Sequence, residues 1–188
     1  MPKTVPDMSS PIRLLPFEES HFDRLMSWIT SREAHVFWTG PIVPYPLTHA
    51  VLKEALDEST AQPPARHCWM VENGAGQLIG HLELVLDWGN QVGRLARVIV
   101  APDHRGKGHA RSMVKQALEH AFIQDGMKRV ELNVYPQNRA AVTTYRKLGF
   151  REEGIRRSSA HVGDQRWDTM IMGLLIHEWE KEQSAKDD

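Results

Sequence analysis

Arg97-Val98-Ile99-Val100-Ala101-Pro102-Asp103-His104-Arg105-Gly106-Lys107-Gly108-His109-Ala110-Arg111 is the most informative segment of this chain. A β-branched run enters a basic, glycine-containing turn, and the turn opens straight into a helical pattern. The first turn of a helix presents unpaired backbone N–H groups and partial positive charge. Gly106 and Gly108 permit positive φ and close approach of a ligand to the backbone. Ala110 is small, and Arg105, Lys107 and Arg111 add full charges. The bland reading is a solvated basic turn. Cations at a helix N-terminus oppose the dipole, however, so three of them there call for an anion, and a phosphate or pyrophosphate suits the site. The loop does not complete a P-loop, which needs GxxxxGK[ST], and lacks the third glycine of a dinucleotide-binding fingerprint.

Downstream of this turn, Ala110, Met113, Val114, Ala117, Leu118, Ala121 and Phe122 form one helical stripe, with Gly126 as its stop. Arg129 to Tyr135 alternates as a strand. Asn138 to Leu148 reads as a helix ended by Gly149. Phe150 to Arg157 and Arg166 to Leu175 read as two further strands, linked by the polar Ser158 to Gly163. Upstream lie three strands of a meander, at His67–Glu72, Gln77–Leu86 and Gly93–Ala101, with a turn at Asn73-Gly74-Ala75-Gly76. Before them come a short strand at Ile12–Leu15, a helix from about Glu18, a stiff aromatic loop from Phe37 to Pro46, and a helix over Thr48–Ser59. This order is that of an α+β domain with helices on a mixed, mostly antiparallel sheet. Residues 1–10 read as a flexible N-terminal tail, 11–178 as the domain, and 179–188 as a charged C-terminal tail.

The chain has 188 residues, enough for one domain with a real core. Lys plus Arg number 23 and Asp plus Glu 24, a balance unlike that of a dedicated nucleic-acid binder. One cysteine, Cys68, excludes an internal disulfide framework and reads as a small buried hydrophobe rather than an acyl-carrying nucleophile. No apolar run reaches the length of a membrane span or a signal peptide, so the expected compartment is cytoplasmic. The histidines show no HxxxH spacing, and no metal is expected.

Arg105-Gly106-Lys107-Gly108-His109-Ala110 resembles the [QR]-x-x-G-x-[GA] signature of the GNAT superfamily of N-acetyltransferases. A second segment, Asn138 to Phe150, is similar to that family's N-x-x-A-x-x-x-Y-x-x-x-G-F element, with Asn138, Ala141, Tyr145 and Gly149-Phe150 in register. The two lie about 30 residues apart in the family's order. The resemblance implies a single GNAT-like domain with helices on both faces of its sheet. It also implies an acetyl-CoA site whose pyrophosphate is held by Arg105, Gly106, Lys107, Gly108, His109, Ala110 and Arg111. Val98, Ile99 and Val100 would bond the pantetheine, and Asn138 the cofactor arm. Asn138 suits an N-cap equally well. The opening Ile12-Arg13-Leu14-Leu15-Pro16-Phe17, the Phe37-Trp38-Thr39-Gly40-Pro41 loop and the ending Asp168-Thr169-Met170-Ile171-Met172 are similar to the branch of ribosomal-protein, polyamine and aminoglycoside acetyltransferases.

Acetyl transfer to an amine needs a held donor, a neutral amine, a stabilised oxyanion and a proton for the leaving thiolate. One strand N–H near Val98–Val100 could face the thioester oxygen. Tyr145 matches the family tyrosine thought to protonate the thiolate; its bland role is core packing beside Val142 and Leu148. Glu83 is the first candidate for general base, ahead of Asp87 and His81, against a plain structural role or an ordered water. Trp28, Phe37, Trp38, Trp88 and Trp167 are candidates to line the acceptor site or to fill core. Glu18, Glu19, Glu33, Asp57 and Glu58 are the carboxylates a polycation could meet. The expected acceptor is a small-molecule amine or a protein N-terminus, taken by direct attack in a ternary complex. No nucleic acid or membrane partner is expected, and a homodimer is left open. The rival readings are a CoA-binding sensor without turnover and a nucleotide-phosphate binder such as a kinase.

Overall fold

The meander-rich middle of the chain builds the sheet, and the computed structural model describes residues 12–187 of it. The tail expected at residues 1–10 therefore lies outside the described residues. The strands are β1 (Ile12–Pro16), β2 (Arg66–Asn73), β3 (Leu78–Asp87), β4 (Val92–Val100), β5 (Arg129–Val134), β6 (Arg151–Val162) and β7 (Gln165–Leu175). They form one sheet in the order β1-β2-β3-β4-β5-β7-β6. All neighbours are antiparallel except β4 and β5. That parallel pair requires a crossover, supplied by α4 (His109–Glu119) and a π-helical turn at His120–Gln124.

The other helices are α1 (Phe22–Met26), α2 (Arg32–Thr39), α3 (His49–Thr60), α5 (Arg139–Arg146) and α6 (Ile176–Asp187). They divide between two cores. Met113, Val114, Ala117 and Leu118 of α4 pack with Val142 and Tyr145 of α5, Trp179 of α6, and Trp69, Val71, Leu84, Val130 and Met172 of the sheet. Leu25, Trp38, Leu52 and Ala55 of α1–α3 pack with Cys68, Met70 and Ile99. Alternate residues of β2 thus go to opposite cores, which is why Cys68-Trp69-Met70-Val71 is one unbroken apolar run. The expected α+β architecture is present, with helices on both faces.

Three local expectations need correction. Phe37-Trp38-Thr39 is the end of α2 rather than part of a loop. Ser31 accepts from the Ala34 N–H at 3.1 Å to start that helix, and Gly40 at φ 78° ends it. The helix from Glu18 is short: a 3-10 turn at Glu19–His21 leads into α1, which ends at Met26. Residues 179–187 are not a free tail, because α6 seats Trp179 on the core, 5.3 Å from the Phe122 ring.

Candidate functional site

β4 and β5 pair only from Val92↔Arg129 to Leu95↔Leu132. Beyond Leu95 the strands part. The register of β3 with β4 slips between His81 and Glu83, and Arg97 takes a φ of 47° there. Such a bulge re-aims the strand. It sends Val98, Ile99 and Val100 away from β5 and along one wall of a cleft. The cleft has a volume of about 770 Å³.

The basic turn forms the end of this cleft. Pro102–His104 is a 3-10 turn, and Gly106 and Gly108 adopt φ values of 76° and 83°. Gly108 is the residue before α4, and no side chain caps that helix. The N–H groups at the start of its first turn thus adjoin the cleft as donors for an anion, while that of Arg111 bonds the Gly108 carbonyl at 3.0 Å. Arg105, Gly106, Gly108, His109, Ala110 and Arg111 all line the space. Arg105 Nε donates to the Val100 carbonyl at 3.1 Å, and Lys107 Nζ to that of Asp103 at 2.9 Å, which fastens the turn to the strand. Lys107 is exposed and is not part of the lining. His109 is held below the usual histidine range, first by burial and then by His104 and Lys107.

The opposite wall comes from the second motif. Asn138, Ala141, Thr144 and Tyr145 line it. Asn138 Oδ1 accepts from the Ala141 N–H at 3.2 Å, so it caps α5 as well as lining the cleft. Tyr145 is 9% exposed, with its ring 5.8 Å from that of Phe150. Burial pushes its phenol pKa well up, so it holds its proton at neutral pH. A smaller hollow of about 270 Å³ lies between α4 and α6 and shares only Gly108 and Arg111 with this cleft.

Glu83 does not occupy the place expected of a base. It is fully buried, accepts from Arg66 Nη1 at 2.7 Å and Arg97 Nη1 at 3.1 Å, and lies 3.3 Å from His81 Nε2. Burial alone would raise its pKa. The hydrogen bond to His81 and the charges of Arg97 and Arg66 outweigh that and hold it at about 2. It is absent from the cleft lining. Its geometry is that of an anchor. Arg97 carries the bulge, its carbonyl accepts from Trp38 Nε1 at 2.6 Å, and its guanidinium lies 5.8 Å from the Trp38 ring. Glu83 thus fixes the bulge and, through it, α2. His81 is buried between Phe17 and Trp38. Asp87 caps the next turn by accepting from Asn90. Cys68 is buried, its thiol pushed up by burial, and it contacts the Ala55 carbonyl.

Of the five aromatics, Phe37 and Trp38 line the cleft. Trp167 reaches it through Phe37 at 5.3 Å and packs on Tyr135 at 5.2 Å. Trp28 is core, and Trp88 donates to the Pro64 carbonyl elsewhere. Tyr135 and Ala34 escaped the sequence reading; the proximity of α2 to β5 is a tertiary fact. The five carboxylates do not gather. Lys53 takes Glu19 and Asp57, Glu58 pairs with Arg66, and Glu18 caps the first turn.

The family model described as "Acetyltransferase (GNAT) family" matches residues 18–150. A spermidine N(1)-acetyltransferase of Vibrio cholerae serotype O1 is 37% identical over 92 residues, 48% of this chain and 52% of its own length. The [ribosomal protein bS18]-alanine N-acetyltransferase of Escherichia coli is 30% identical over 107 residues, 57% of this chain and 69% of its own. The chain spans a little over half the length of the spermidine acetyltransferases it matches. The crystal structure of spermidine N-acetyltransferase from Vibrio cholerae in complex with CoA and spermine superposes with a TM-score of 0.80 at 24% identity, covering 90% of this chain and 98% of that one; the likeness is one of fold. No helix among the described residues is long and apolar enough to cross a membrane. With the family model spanning both motifs and the strand between them, this chain belongs to the GNAT family of acetyltransferases.

Proposed function

We propose that this chain is an acetyl-CoA-dependent N-acetyltransferase that acts on a primary amine of polyamine type. The observation that carries the reading is the single cleft that puts three features together: the uncapped start of α4, the part of β4 that has left β5, and the buried phenol of Tyr145. When bound, acetyl-CoA would supply an acetyl thioester. The residues present fit it. The α4 N-terminus with Arg105 and Arg111 suits a pyrophosphate, and the backbone of Val98–Val100 suits an amide-bearing arm. Asn138 borders the same wall.

Direct attack needs the acceptor nitrogen free of its proton. An alkyl amine has a pKa of about 10.4, so it arrives mostly charged. A carboxylate held at about 2 and sealed between two guanidiniums has little tendency to take that proton. We therefore route the proton to solvent at the mouth of the cleft and give Glu83 a positioning role. As the N–C bond forms and the C–S bond breaks, Tyr145 would supply the proton to the departing thiolate and be reprotonated by the second proton that the attacking nitrogen sheds. An N–H on β4 between Val98 and Val100 offers the donor for the developing oxyanion. The rings of Phe37 and Trp38 in the cleft lining, the first backed by Tyr135 and Trp167, support a cationic acceptor, because ring faces attract ammonium groups. The sequence similarity to a spermidine acetyltransferase supports the same class.

The test is thermal unfolding with acetyl-CoA, ATP and NAD in parallel, followed by an amine panel. At about 100 times its Kd a ligand stabilises the fold by roughly 2.7 kcal/mol. Acetyl-CoA alone is expected to raise the midpoint. Arg105→Glu is expected to weaken its affinity at least tenfold, since a carboxylate then faces the pyrophosphate. A shift with ATP or NAD instead would overturn the reading, and a shift with acetyl-CoA but no acetylation of any amine would leave a CoA-binding domain without turnover.

A further inference from the structure

At the far end of α4 from the basic turn, about 16 Å along the helix axis, three side chains converge that the cleft does not use. His67 on β2 places Nε2 3.1 and 3.2 Å from the two carboxylate oxygens of Asp125. His120 places its Nε2 3.3 Å from His67 Nε2 and 3.6 Å from Asp125 Oδ1. Residues five apart on an α-helix point about 140° apart. His120 and Asp125 instead flank a π turn, in which the Asp125 N–H bonds the His120 carbonyl at 3.1 Å, and so share one side. Such turns recur at functional positions.

These atoms make poor hydrogen-bonding sense on their own. His67 Nε2 carries at most one proton, yet three acceptor-capable atoms crowd it. Two imidazole nitrogens face each other across 3.3 Å. One cation at the centre would satisfy all of them. Ligand atoms about 2.0–2.1 Å from a tetrahedral zinc ion stand about 3.3–3.4 Å apart. With Asp125 Oδ1 as the third ligand atom, the separations of 3.2, 3.3 and 3.6 Å bracket that edge. The rings are also held in place. Trp69 stacks on His67 at 5.1 Å and meets His120 edge-on at 5.1 Å. The side chains of His67, His120 and Asp125 are 20%, 25% and 9% exposed, so a path from solvent exists.

We propose that His67, His120 and Asp125 form a binding site for a single transition-metal dication of zinc's size. Two imidazoles and a carboxylate select Zn²⁺, Co²⁺ or Ni²⁺ over Mg²⁺ or Ca²⁺, which prefer all-oxygen sets. The fourth position is open to water. The ion would tie the π turn that follows α4 to β2, and so clamp the crossover from the end opposite the cleft. Spacing along the chain gives no hint of this group, because His67 lies 53 residues from His120. The inference stands apart from the acetyltransferase reading and survives its failure.

The experiment uses the full, untagged chain, stripped with a chelator and dialysed against Zn²⁺, with bound metal counted by atomic emission and Co²⁺ coordination followed by visible absorption. One equivalent per chain is expected, with a tetrahedral Co²⁺ spectrum and a rise in the unfolding midpoint. His120→Gln and Asp125→Asn are expected to weaken zinc at least 30-fold and to abolish the midpoint rise. His161→Gln, on an exposed strand residue, is expected to change neither. Asp125→Asn keeps the shape and removes only the charge, so it remains informative if His120→Gln unfolds. Less than stoichiometric metal, or retention of the full equivalent in Asp125→Asn, would overturn the proposal.

Discussion

Tyr145 and Glu83 show how burial gives two ionisable groups opposite chemistry. Tyr145 is buried without an ionic partner, and its phenol stays protonated. In the proposed reaction, Tyr145→Phe is expected to lower kcat at least tenfold with little change in the Kd for acetyl-CoA, measured by steady-state kinetics alongside direct binding. Glu83 is buried with two guanidiniums and stays ionised. Its pKa falls from 4.5 to about 2 on folding. A depressed carboxylate stabilises the fold fully above its unfolded pKa and loses that contribution as pH falls through the folded one. About 3 kcal/mol is therefore expected to fade between pH 4.5 and 2. Glu83→Gln should lower stability already at pH 7, by about 3 kcal/mol, while the acid limb of kcat/KM keeps its position. Urea titrations at several pH values and a pH–rate profile check both. The sequence showed Glu83 as an acid on a strand and no more. Its partners Arg66 and Arg97 lie on neighbouring strands, and only the register Cys68↔Glu83↔Ala96 brings them in.

Among the elements, α4 was legible because its apolar stripe has one period and one face, and the turn before it carries its own glycine and charge signals. α2 was not. Its apolar residues Val36, Phe37 and Trp38 are consecutive, and Pro41 hides the stop at Gly40. The Ser31 cap was the available signal. α6 was missed because acidic and basic residues surround Trp179. The packing of α4 on β3 depends on one small residue. A Cβ at Gly80 would stand 2.6 Å from Met113 Cε and 2.9 Å from the Ile99 carbonyl oxygen. The methionine tail can swing aside, but that carbonyl belongs to β4. Gly80→Ala is expected to cost about 1–3 kcal/mol, read as a lower urea midpoint at unchanged slope.

At the scale of the molecule, the sheet is a partition with a core on each side, and α6 closes one of them. Trp179→Ala is expected to destabilise the domain by about 3 kcal/mol, or roughly 6–12 °C in Tm for a chain of this size. A free tail would show no shift in a calorimeter. The order of the strands was beyond sequence reading, since nothing in Arg151–Leu175 says that β7 rather than β6 lies beside β5. That order has a mechanical result. Strands β1–β4 and β5–β7–β6 are two half-sheets stitched by four residue pairs, Val92–Leu95 with Arg129–Leu132. Beyond Leu132 the stitching stops and the cleft begins. A molecule lying along Val98–Val100 would act as a splint across the unstitched seam, so the amides that recognise it would also report how stiff the two halves are toward each other.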